Sequence, residues 1–314
     1  MQTPSSHTPA APTSVASLID AATKQLDDQP LYYGHGTSSA AQEARWLVLG
    51  SLGWDWESGD EALSTEVSAE QQQQIQALLE QRISTRKPAA YLLGECWFAG
   101  LPFYVDERTI VPRSPFAEIV QDRFSQWLDT EPKRILDLCC GSGCIGIAAA
   151  VAFPNAQVDI IDLSPDALMV AHSNIQRHGL EDRVQAIESD LFTHAQGPYD
   201  LILSNPPYVP QWEYDELPAE YHREPEMSLV AGDDGLELVI PMMLEAPNYL
   251  SENGRVFIEV GNTDEYLANC FPEVPFEWIE FQHGGFGVYT LSREQLVAHK
   301  NDFSDDSLNE LITN

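Results

Sequence analysis

The chain has 314 residues, of which 43% are hydrophobic, and it carries 16 basic against 49 acidic residues, a formal net charge of −33. This length suits one large domain with a smaller companion. A polyanionic surface repels phosphate backbones, so duplex DNA is not an expected partner, whereas basic partners are attracted. Solubility or salt adaptation of the host explains the same charge equally well.

The location of the protein is predicted from three further features. The longest strongly apolar run, residues 145–153, is too short to cross a bilayer, so no membrane partner is expected. The N-terminus lacks a basic stretch followed by an apolar core, so we expect no secretory signal. Five cysteines, an odd number, suggest reduced thiols. Together these features predict a cytoplasmic protein.

The first third of the chain predicts a small helical domain. Residues 1–14 are mostly Ser, Thr, Pro and Ala, and we expect them to be disordered. Apolar residues then recur at helical spacing in three stretches, which are residues 15–26, 40–52 and 69–83. Residues 97–111 alternate with turn residues and indicate a β-hairpin that ends in the stiff segment Val111-Pro112-Arg113-Ser114-Pro115. We therefore predict a helical domain over residues 15–95 and a hairpin with a linker over residues 96–115.

The rest of the chain predicts a doubly wound α/β domain over residues 116–300. Strand patterns alternate with helical runs, which indicates a parallel sheet with helices on both faces; these strands are residues 134–139, 158–162, 184–188, 200–204 and 255–260. Two last strands, 276–281 and 287–291, are joined by a segment too short for a helical crossover, so they must pair antiparallel. This arrangement is typical of the class I, Rossmann-like methyltransferase fold. Residues 301–314 are predicted to form a polar tail.

A glycine-rich turn follows the first strand and opens a helix. Gly141 and Gly143 allow the backbone to approach a ligand, and the helix start offers free N–H groups. In a methyltransferase this loop, with Ser142 between the glycines, holds the methionine end of S-adenosylmethionine. Asp137, at the end of the strand, can anchor the loop or help to hold the ammonium of the cofactor. We predict these four residues as cofactor ligands.

The same turn also matches a dinucleotide-binding fingerprint, because Gly141, Gly143 and Gly146 have the G-x-G-x-x-G spacing. Asp162 follows Gly141 by 21 residues, about where the acid of an NAD site falls. In both interpretations Asp162 ends the second strand and accepts hydrogen bonds from ribose hydroxyls. The glycine turn and Asp162 alone are therefore also compatible with an NAD-dependent oxidoreductase.

The segment Ser189-Asp190-Leu191-Phe192 follows the third strand. Asp190 can accept a hydrogen bond from an adenine amine, while Leu191 or Phe192 packs on the ring. An acid in a loop is also common as a cap or turn residue, which is the alternative interpretation. We include Asp190 and Leu191 in the predicted cofactor site.

The segment Asn205-Pro206-Pro207-Tyr208 follows the fourth strand directly and decides between the interpretations. The carboxyl ends of strands face the ligand crevice in open α/β sheets, and two prolines fix the loop. The Asn205 side-chain oxygen and the Pro206 carbonyl then supply two acceptors for an –NH2 group, and Tyr208 supplies a flat surface for a planar amide or base. We predict Asn205, Pro206 and Tyr208 as catalytic, all four residues as substrate-binding, and Asn205 also beside the cofactor. A proline turn with a capping Asn is the structural alternative.

Across roughly residues 15–300 the chain resembles the glutamine-amide methyltransferases of the HemK type. Asn205–Tyr208 is shared with adenine-DNA methyltransferases, but the helical domain and the linker Val111-Pro112-Arg113 favour the branch that modifies proteins. The resemblance implies S-adenosylmethionine as cofactor and a helical domain that recognises the substrate. A catalytically dead binding module is disfavoured by the intact acids and Asn205.

Two types of target are known in this family, and the resemblance favours a basic one, large-subunit ribosomal protein three. Residues 33–36, 103–108 and 222–226 look like the branch that modifies a glutamine of that protein. The Gly-Gly-Gln glutamine of peptide release factors is the alternative, and adenine in DNA is a more distant one. Cys139 and Cys144 replace the outer glycines of the usual family loop. With Cys140 they form no Cys-x-x-Cys pair, so we predict structural packing and no metal site.

Overall fold

The computed structural model describes residues 13–56 and 58–303, and the chain folds as two compact units. Among the described residues, the smaller unit comprises those up to Gly94 together with Pro218–Arg223, and the larger comprises Glu95–Leu217 together with those from Glu224 onward. The predicted hairpin and linker cluster with the larger unit, and the short segment 218–223 joins the smaller one although it lies far along the chain. The predictions for residues 1–12 and 304–314 lie outside the described residues.

The described part of the smaller unit is mainly helical, and its long helices confirm the three predicted ones. Serines at positions 14, 39 and 68 accept hydrogen bonds from the first helical turns, which fixes where these helices begin. Leucine, isoleucine and valine side chains from these helices form a common buried core. Its elements are β1 (Thr13–Ser14), α1 (Val15–Asp27), α2 (Ala40–Ser51), α3 (Asp60–Leu63), β2 (Glu66–Val67), α4 (Ala69–Thr85) and α5 (Ala89–Leu93).

Thr13 and Ser14 differ from the predicted disorder. They form β1, which pairs antiparallel with β2. The Ser14 hydroxyl also accepts a hydrogen bond from the Ser17 backbone N–H as the cap of α1. The composition of residues 1–14 did not reveal this role, because the pairing partner lies about fifty residues later in the chain.

The larger unit contains a seven-stranded sheet in the order β10-β11-β9-β8-β5-β6-β7, and this confirms the predicted methyltransferase sheet. Strands β5 to β9 run parallel, and β11 inserts antiparallel between β9 and β10. The separate hairpin β3–β4 precedes the sheet, but it spans residues 95–104 rather than the predicted 97–111, because the segment after residue 104 has no pairing partner in this hairpin. The strands are β3 (Glu95–Phe98), β4 (Leu101–Tyr104), β5 (Arg134–Leu138), β6 (Gln157–Asp162), β7 (Val184–Glu188), β8 (Tyr199–Ser204), β9 (Leu250–Glu259), β10 (Glu277–Trp278) and β11 (Val288–Ser292).

Helices connect these strands and bury apolar side chains against the sheet. Val239 and Met243, for example, pack in one cluster with Leu136, Ile202 and Val256 of three neighbouring strands. The helices are α6 (Phe116–Gln121), α7 (Cys144–Ala152), α8 (Pro165–Arg177), α9 (Gln211–Glu216), α10 (Val239–Tyr249), α11 (Asp264–Cys270) and α12 (Arg293–Ala298). No helix in the described parts of the chain is both long enough and apolar enough for a membrane span.

The described end of the chain differs from the predicted polar tail. Phe303 is fully buried, and its ring centroid lies 5.3 Å from that of Phe271. Residues 301–303 therefore belong to the packed domain, because burial of one aromatic side chain outweighs the polar character of its neighbours.

Candidate active site

The predicted site residues meet at one edge of the sheet. Leu138 pairs with both Ile161 and Ser204, so the ends of β5, β6 and β8 are level with one another. Asp162 pairs with Glu188, which brings the end of β7 to the same edge. The loops after these strands carry the glycine turn, Asp162, Asp190 and Asn205. Parallel strands thus gather side chains that are far apart in sequence.

The glycine-rich loop contains two glycines with different tasks. A Cβ added at Gly141, where φ is +52°, meets no heavy atom within 4 Å, so this backbone faces open space that a ligand can enter. A Cβ added at Gly143, where φ is +77°, comes 3.0 Å from Ile160, so this glycine allows close packing on β6. Ser142 is buried, and its carbonyl accepts a hydrogen bond from the Asn174 side chain at 2.9 Å. The loop is therefore held from behind and open at Gly141.

Asp137 lies fully buried beneath this loop. Its Oδ2 accepts a hydrogen bond from the Gly146 N–H at 2.7 Å, while its Oδ1 has no hydrogen-bond partner among the described residues. Burial raises the pKa of Asp137 to about 8, and the nearby Asp162 carboxylate also raises it. A cationic group at the open loop would favour the charged carboxylate. This fits the predicted role beside the ammonium of a methionine-like ligand.

Asp162 projects from the end of β6 toward the same loop. Its Oδ2 accepts from the Gly141 N–H and its Oδ1 from the Ser164 N–H, each at 2.8 Å. Burial raises the pKa of Asp162, and these backbone hydrogen bonds act in the opposite direction. Each carboxylate oxygen has a second lone pair, so Asp162 can still accept hydrogen bonds from two ribose hydroxyls.

The loop after β7 contains Leu191 and Phe192, which were the two candidates for packing on an adenine ring. The structure places them in different environments. Phe192 is fully buried and stacks on Tyr249 at a centroid distance of 4.7 Å, so it belongs to the core. Leu191 is partly buried and has φ of +41°, which is unusual for a side chain branched at Cγ. Asp190 beside it is exposed. Asp190 and Leu191 are thus the accessible pair of this loop.

The Asn205–Tyr208 loop is fixed on several sides. The Ser204 hydroxyl donates to the Leu138 carbonyl at 2.8 Å, and the Thr263 hydroxyl donates to the Tyr208 carbonyl at 3.0 Å. Pro206 and Pro207 are buried, whereas Asn205 is half-buried. No hydrogen bond joins the Asn205 side chain to another group in the described parts of the chain. The rigid loop therefore presents an amide that is available for a ligand.

A small pocket opens beside this loop, and it contains residues that sequence reasoning missed. Asn205, Pro206 and Tyr208 line it together with Arg113 and Glu259. The guanidinium of Arg113 makes a two-pronged ion pair with the buried Glu224, at 2.5 and 2.7 Å. One signal was present in the sequence, because Glu259 is an acid inside the apolar run at residues 256–260. No feature of the sequence predicted the ion pair between Arg113 and Glu224.

The cysteines of the glycine loop were predicted to pack structurally. Cys139, Cys140 and Cys144 are free thiols, and burial raises the pKa of Cys144 to about 12. A protonated thiol is a poor nucleophile and a poor metal ligand. Within residues 13–56 and 58–303, no cluster of three His, Cys, Asp or Glu side chains is arranged to hold a metal ion.

Comparison with known proteins shows the family of this chain. Residues 122–221 match the Methyltransferase small domain family, and residues 18–94 match the PrmC N-terminal domain family. The ribosomal protein uL3 glutamine methyltransferase of Francisella tularensis is 44% identical over 276 residues, which cover 87% of this chain and 88% of that protein. The protein of the same name from Xanthomonas campestris is 44% identical over 289 residues, which cover 91% of this chain and 93% of that protein. The chain therefore belongs to the family of the ribosomal protein uL3 glutamine methyltransferases, a branch of the HemK-type methyltransferases.

Proposed function

We propose that this chain methylates the side-chain amide nitrogen of a glutamine in ribosomal protein uL3, with S-adenosylmethionine as the methyl donor. The observation that carries the proposal is the half-buried Asn205 at the carboxyl end of β8, on a rigid loop beside the acidic edge of the sheet. The two relatives named above for this activity support the choice of substrate. A ribosomal substrate also agrees with the predicted cytoplasmic location.

The cofactor half of the site rests on the loops after β5, β6 and β7. In this proposal the open backbone at Gly141, with Ser142 and Gly143, lies along the methionine end of the cofactor, and Asp137 balances its ammonium. Asp162 accepts the ribose hydroxyls, while Asp190 and Leu191 lie at the adenine. The support is the open space at Gly141, the unpartnered Oδ1 of Asp137 and the free lone pairs of Asp162.

The substrate half rests on the Asn205–Tyr208 loop. An amide nitrogen is a poor nucleophile, because its lone pair is delocalised into the carbonyl. Acceptors on the Asn205 side chain and the Pro206 carbonyl can hold both N–H bonds of the substrate and orient the nitrogen for attack. S-adenosylmethionine supplies an already activated methyl group, so the chain contributes positioning and electrostatics rather than a strong base. Tyr208 presents a planar surface to the planar amide.

Substitution of Asn205 tests the proposal. We expect Asn205→Ala to keep the fold and most cofactor affinity while turnover falls by about 100-fold or more, the scale for loss of one preorganised partner. Asn205→Asp keeps the size but adds a charge in a site built for a neutral amide, and it should also be badly impaired. Single-turnover methyl transfer to unmodified uL3 and thermal melting measure both effects.

The control and the alternative substrates belong to the same experiment. Asn155→Ala changes an exposed amide near the opposite end of the sheet, two residues before β6, and should transfer methyl groups at the normal rate. Unmodified release factor and duplex DNA are assayed beside uL3. Normal rates in both folded Asn205 variants would remove Asn205 from the mechanism, and preferential labelling of release factor or DNA would replace the proposed substrate.

A further inference from the structure

Glu259 is a buried acid at the end of β9, with only 5% of its surface exposed. It follows the apolar residues Val256, Phe257 and Ile258. Burial of a carboxylate is unfavourable unless hydrogen bonds or opposite charges compensate for its lost hydration. A carboxylate at this buried position therefore indicates a role that an apolar side chain could not perform.

The contacts of Glu259 point to the substrate half of the site. Its Oε1 accepts a hydrogen bond from the Tyr208 hydroxyl at 3.1 Å, and its Oε2 accepts one from the Ser114 hydroxyl at 2.5 Å. Ile258 pairs with Ser204, so Glu259 lies one residue beyond the paired ends of β8 and β9, next to Asn205. Glu259 and Asn205 line the same pocket.

We propose that Glu259 is a positioning residue for methyl transfer, which holds the Tyr208 hydroxyl and thereby fixes the Tyr208 ring at the wall of the pocket. This inference rests on the proposed function, because the role of the ring is to support the planar amide of the substrate.

Tyr208 is held at three points, and Glu259 provides the outermost. Thr263 binds the Tyr208 carbonyl, as described above. A Cβ added at Gly261 would come 2.5 Å from the Tyr208 ring, so the ring lies tightly on this glycine. The hydroxyl at the far end of the ring meets Glu259. Loss of this last contact frees the ring to tilt, while the backbone of the loop remains anchored.

The protonation of Glu259 is coupled to this contact. Burial raises the pKa of Glu259 to about 7, against the hydrogen bonds from Ser114 and Tyr208 and the positive charge of Arg113. Cys144 of α7 also interacts with Glu259 electrostatically. The carboxylate accepts from both hydroxyls, whereas the neutral acid must donate through one oxygen. The Tyr208 hydrogen bond must therefore change as Glu259 titrates.

The first experiment detects this contact without any substrate. Tyrosine labelled with 13C gives one signal set for each of the 11 tyrosines, and Tyr208→Phe identifies that of Tyr208. We expect the Tyr208 signal to shift with a midpoint near pH 7 in the wild-type protein and to lose this shift in Glu259→Gln. A Tyr208 signal that is the same in the wild-type protein and in Glu259→Gln at every pH would show that Glu259 does not hold the Tyr208 hydroxyl, and would overturn the proposal.

The second experiment measures catalysis with unmodified uL3. We expect Glu259→Ala to lower kcat by about 10- to 100-fold, the scale of a misplaced reacting group, with unchanged affinity for S-adenosylmethionine. Glu259→Gln keeps an acceptor and should recover most of the rate. Because Glu259→Ala and Tyr208→Phe remove the same hydrogen bond, the double variant should be no slower than the slower single variant. Glu252→Gln, an exposed acid on the same strand, is the matched control.

The two experiments separate this inference from the proposed function. A wild-type protein that leaves uL3 unmodified but shows the Tyr208 titration contradicts the substrate and retains the Glu259–Tyr208 contact. Multiplicative effects in the double variant, or a full rate in folded Glu259→Ala, contradict the positioning role even when uL3 is methylated.

Discussion

Cys139 holds a backbone conformation that usually belongs to glycine. Its φ is +57°, in the left-handed region, at the position where the family loop normally has glycine. An L side chain in this region costs about 1–2 kcal/mol, and the packing of the partly buried Cys139 side chain against the core offsets part of that cost. The backbone at Cys139 is therefore strained.

This strain predicts which of two substitutions at position 139 gives the more stable protein. Cys139→Ala keeps the strain and loses the sulfur, whereas Cys139→Gly loses both. We expect Cys139→Gly to be the more stable of the two by about 1 kcal/mol, the reverse of the usual order in regular structure. Urea denaturation of both variants measures the difference, and a more stable Ala variant would show that the turn is unstrained.

Asp162 carries the second prediction at this scale. We expect Asp162→Ala to weaken binding of S-adenosylmethionine by about 1–3 kcal/mol, because charge-assisted hydrogen bonds to ribose hydroxyls are lost. Calorimetric titration measures the affinity. Asp166→Ala, an exposed acid in the first turn of α8, serves as the control and should bind normally. Unchanged affinity in Asp162→Ala would exclude the ribose role, and tighter binding of NAD would reverse the choice of cofactor.

At the scale of elements, the smaller unit depends on a buried group of charges. Arg82 of α4 is 1% exposed and binds Glu43 of α2 at 2.6 Å and Glu220 at 3.1 Å. Arg86 also contacts Glu220, at 3.2 Å. Two helices and the segment Pro218–Arg223 are therefore joined by one neutral cluster. Removal of one member leaves an uncompensated charge where water cannot reach it.

The cluster predicts a large stability effect at a position far from the reacting groups. We expect Glu220→Ala to lower the free energy of unfolding by about 3–5 kcal/mol, the scale for breaking a buried ion pair. Glu216→Ala, an exposed acid at the end of α9, is the control and should change it by less than about 0.5 kcal/mol. Thermal and urea melts give both values, and equal stability of the two variants would contradict the structural role of Glu220.

The elements also show how far sequence reasoning reaches. Periodicity predicted the three long helices and the strands of the sheet, because each pattern lies within one element. The loops after β5, β6, β7 and β8 were predicted as a site because parallel strands end at one edge. Contacts between distant segments had no local signal. The Arg113–Glu224 pair, the Glu259–Tyr208 hydrogen bond and the membership of residues 218–223 in the smaller unit are of this kind.

At the scale of the whole molecule, two buried acids make stability depend on pH. Burial raises the pKa of Asp137 from 3.8 to about 8 and that of Glu259 from 4.5 to about 7. When folding raises the pKa of a carboxyl group, the group stabilises the folded state fully at a pH below its pKa in the unfolded chain. This stabilisation is lost as the pH rises through its pKa in the folded protein. These two groups therefore lower the free energy of unfolding between about pH 4 and pH 8.

Substitution by amides tests this dependence. In Asp137→Asn and Glu259→Gln the decline in unfolding free energy over this range should be shallower than in the wild-type protein. Urea melts across the range measure the slopes. Asp106, whose pKa the hydrogen bond from Arg108 lowers to about 2, acts with the opposite sign but only at lower pH. Parallel slopes in all three proteins would mean that neither acid is neutral in the folded state.

The segment Pro218–Arg223 makes the smaller unit depend on two separate parts of the coding sequence. The smaller unit is encoded in two pieces, and the second piece lies inside the coding sequence of the larger unit. A fragment that ends at residue 94 would keep the Arg82–Glu43 ion pair but lose the contacts of Arg82 and Arg86 with Glu220, so the cluster would carry a net positive charge. Recombination that exchanged the first 94 residues between relatives would therefore need to carry a compatible residue at position 220.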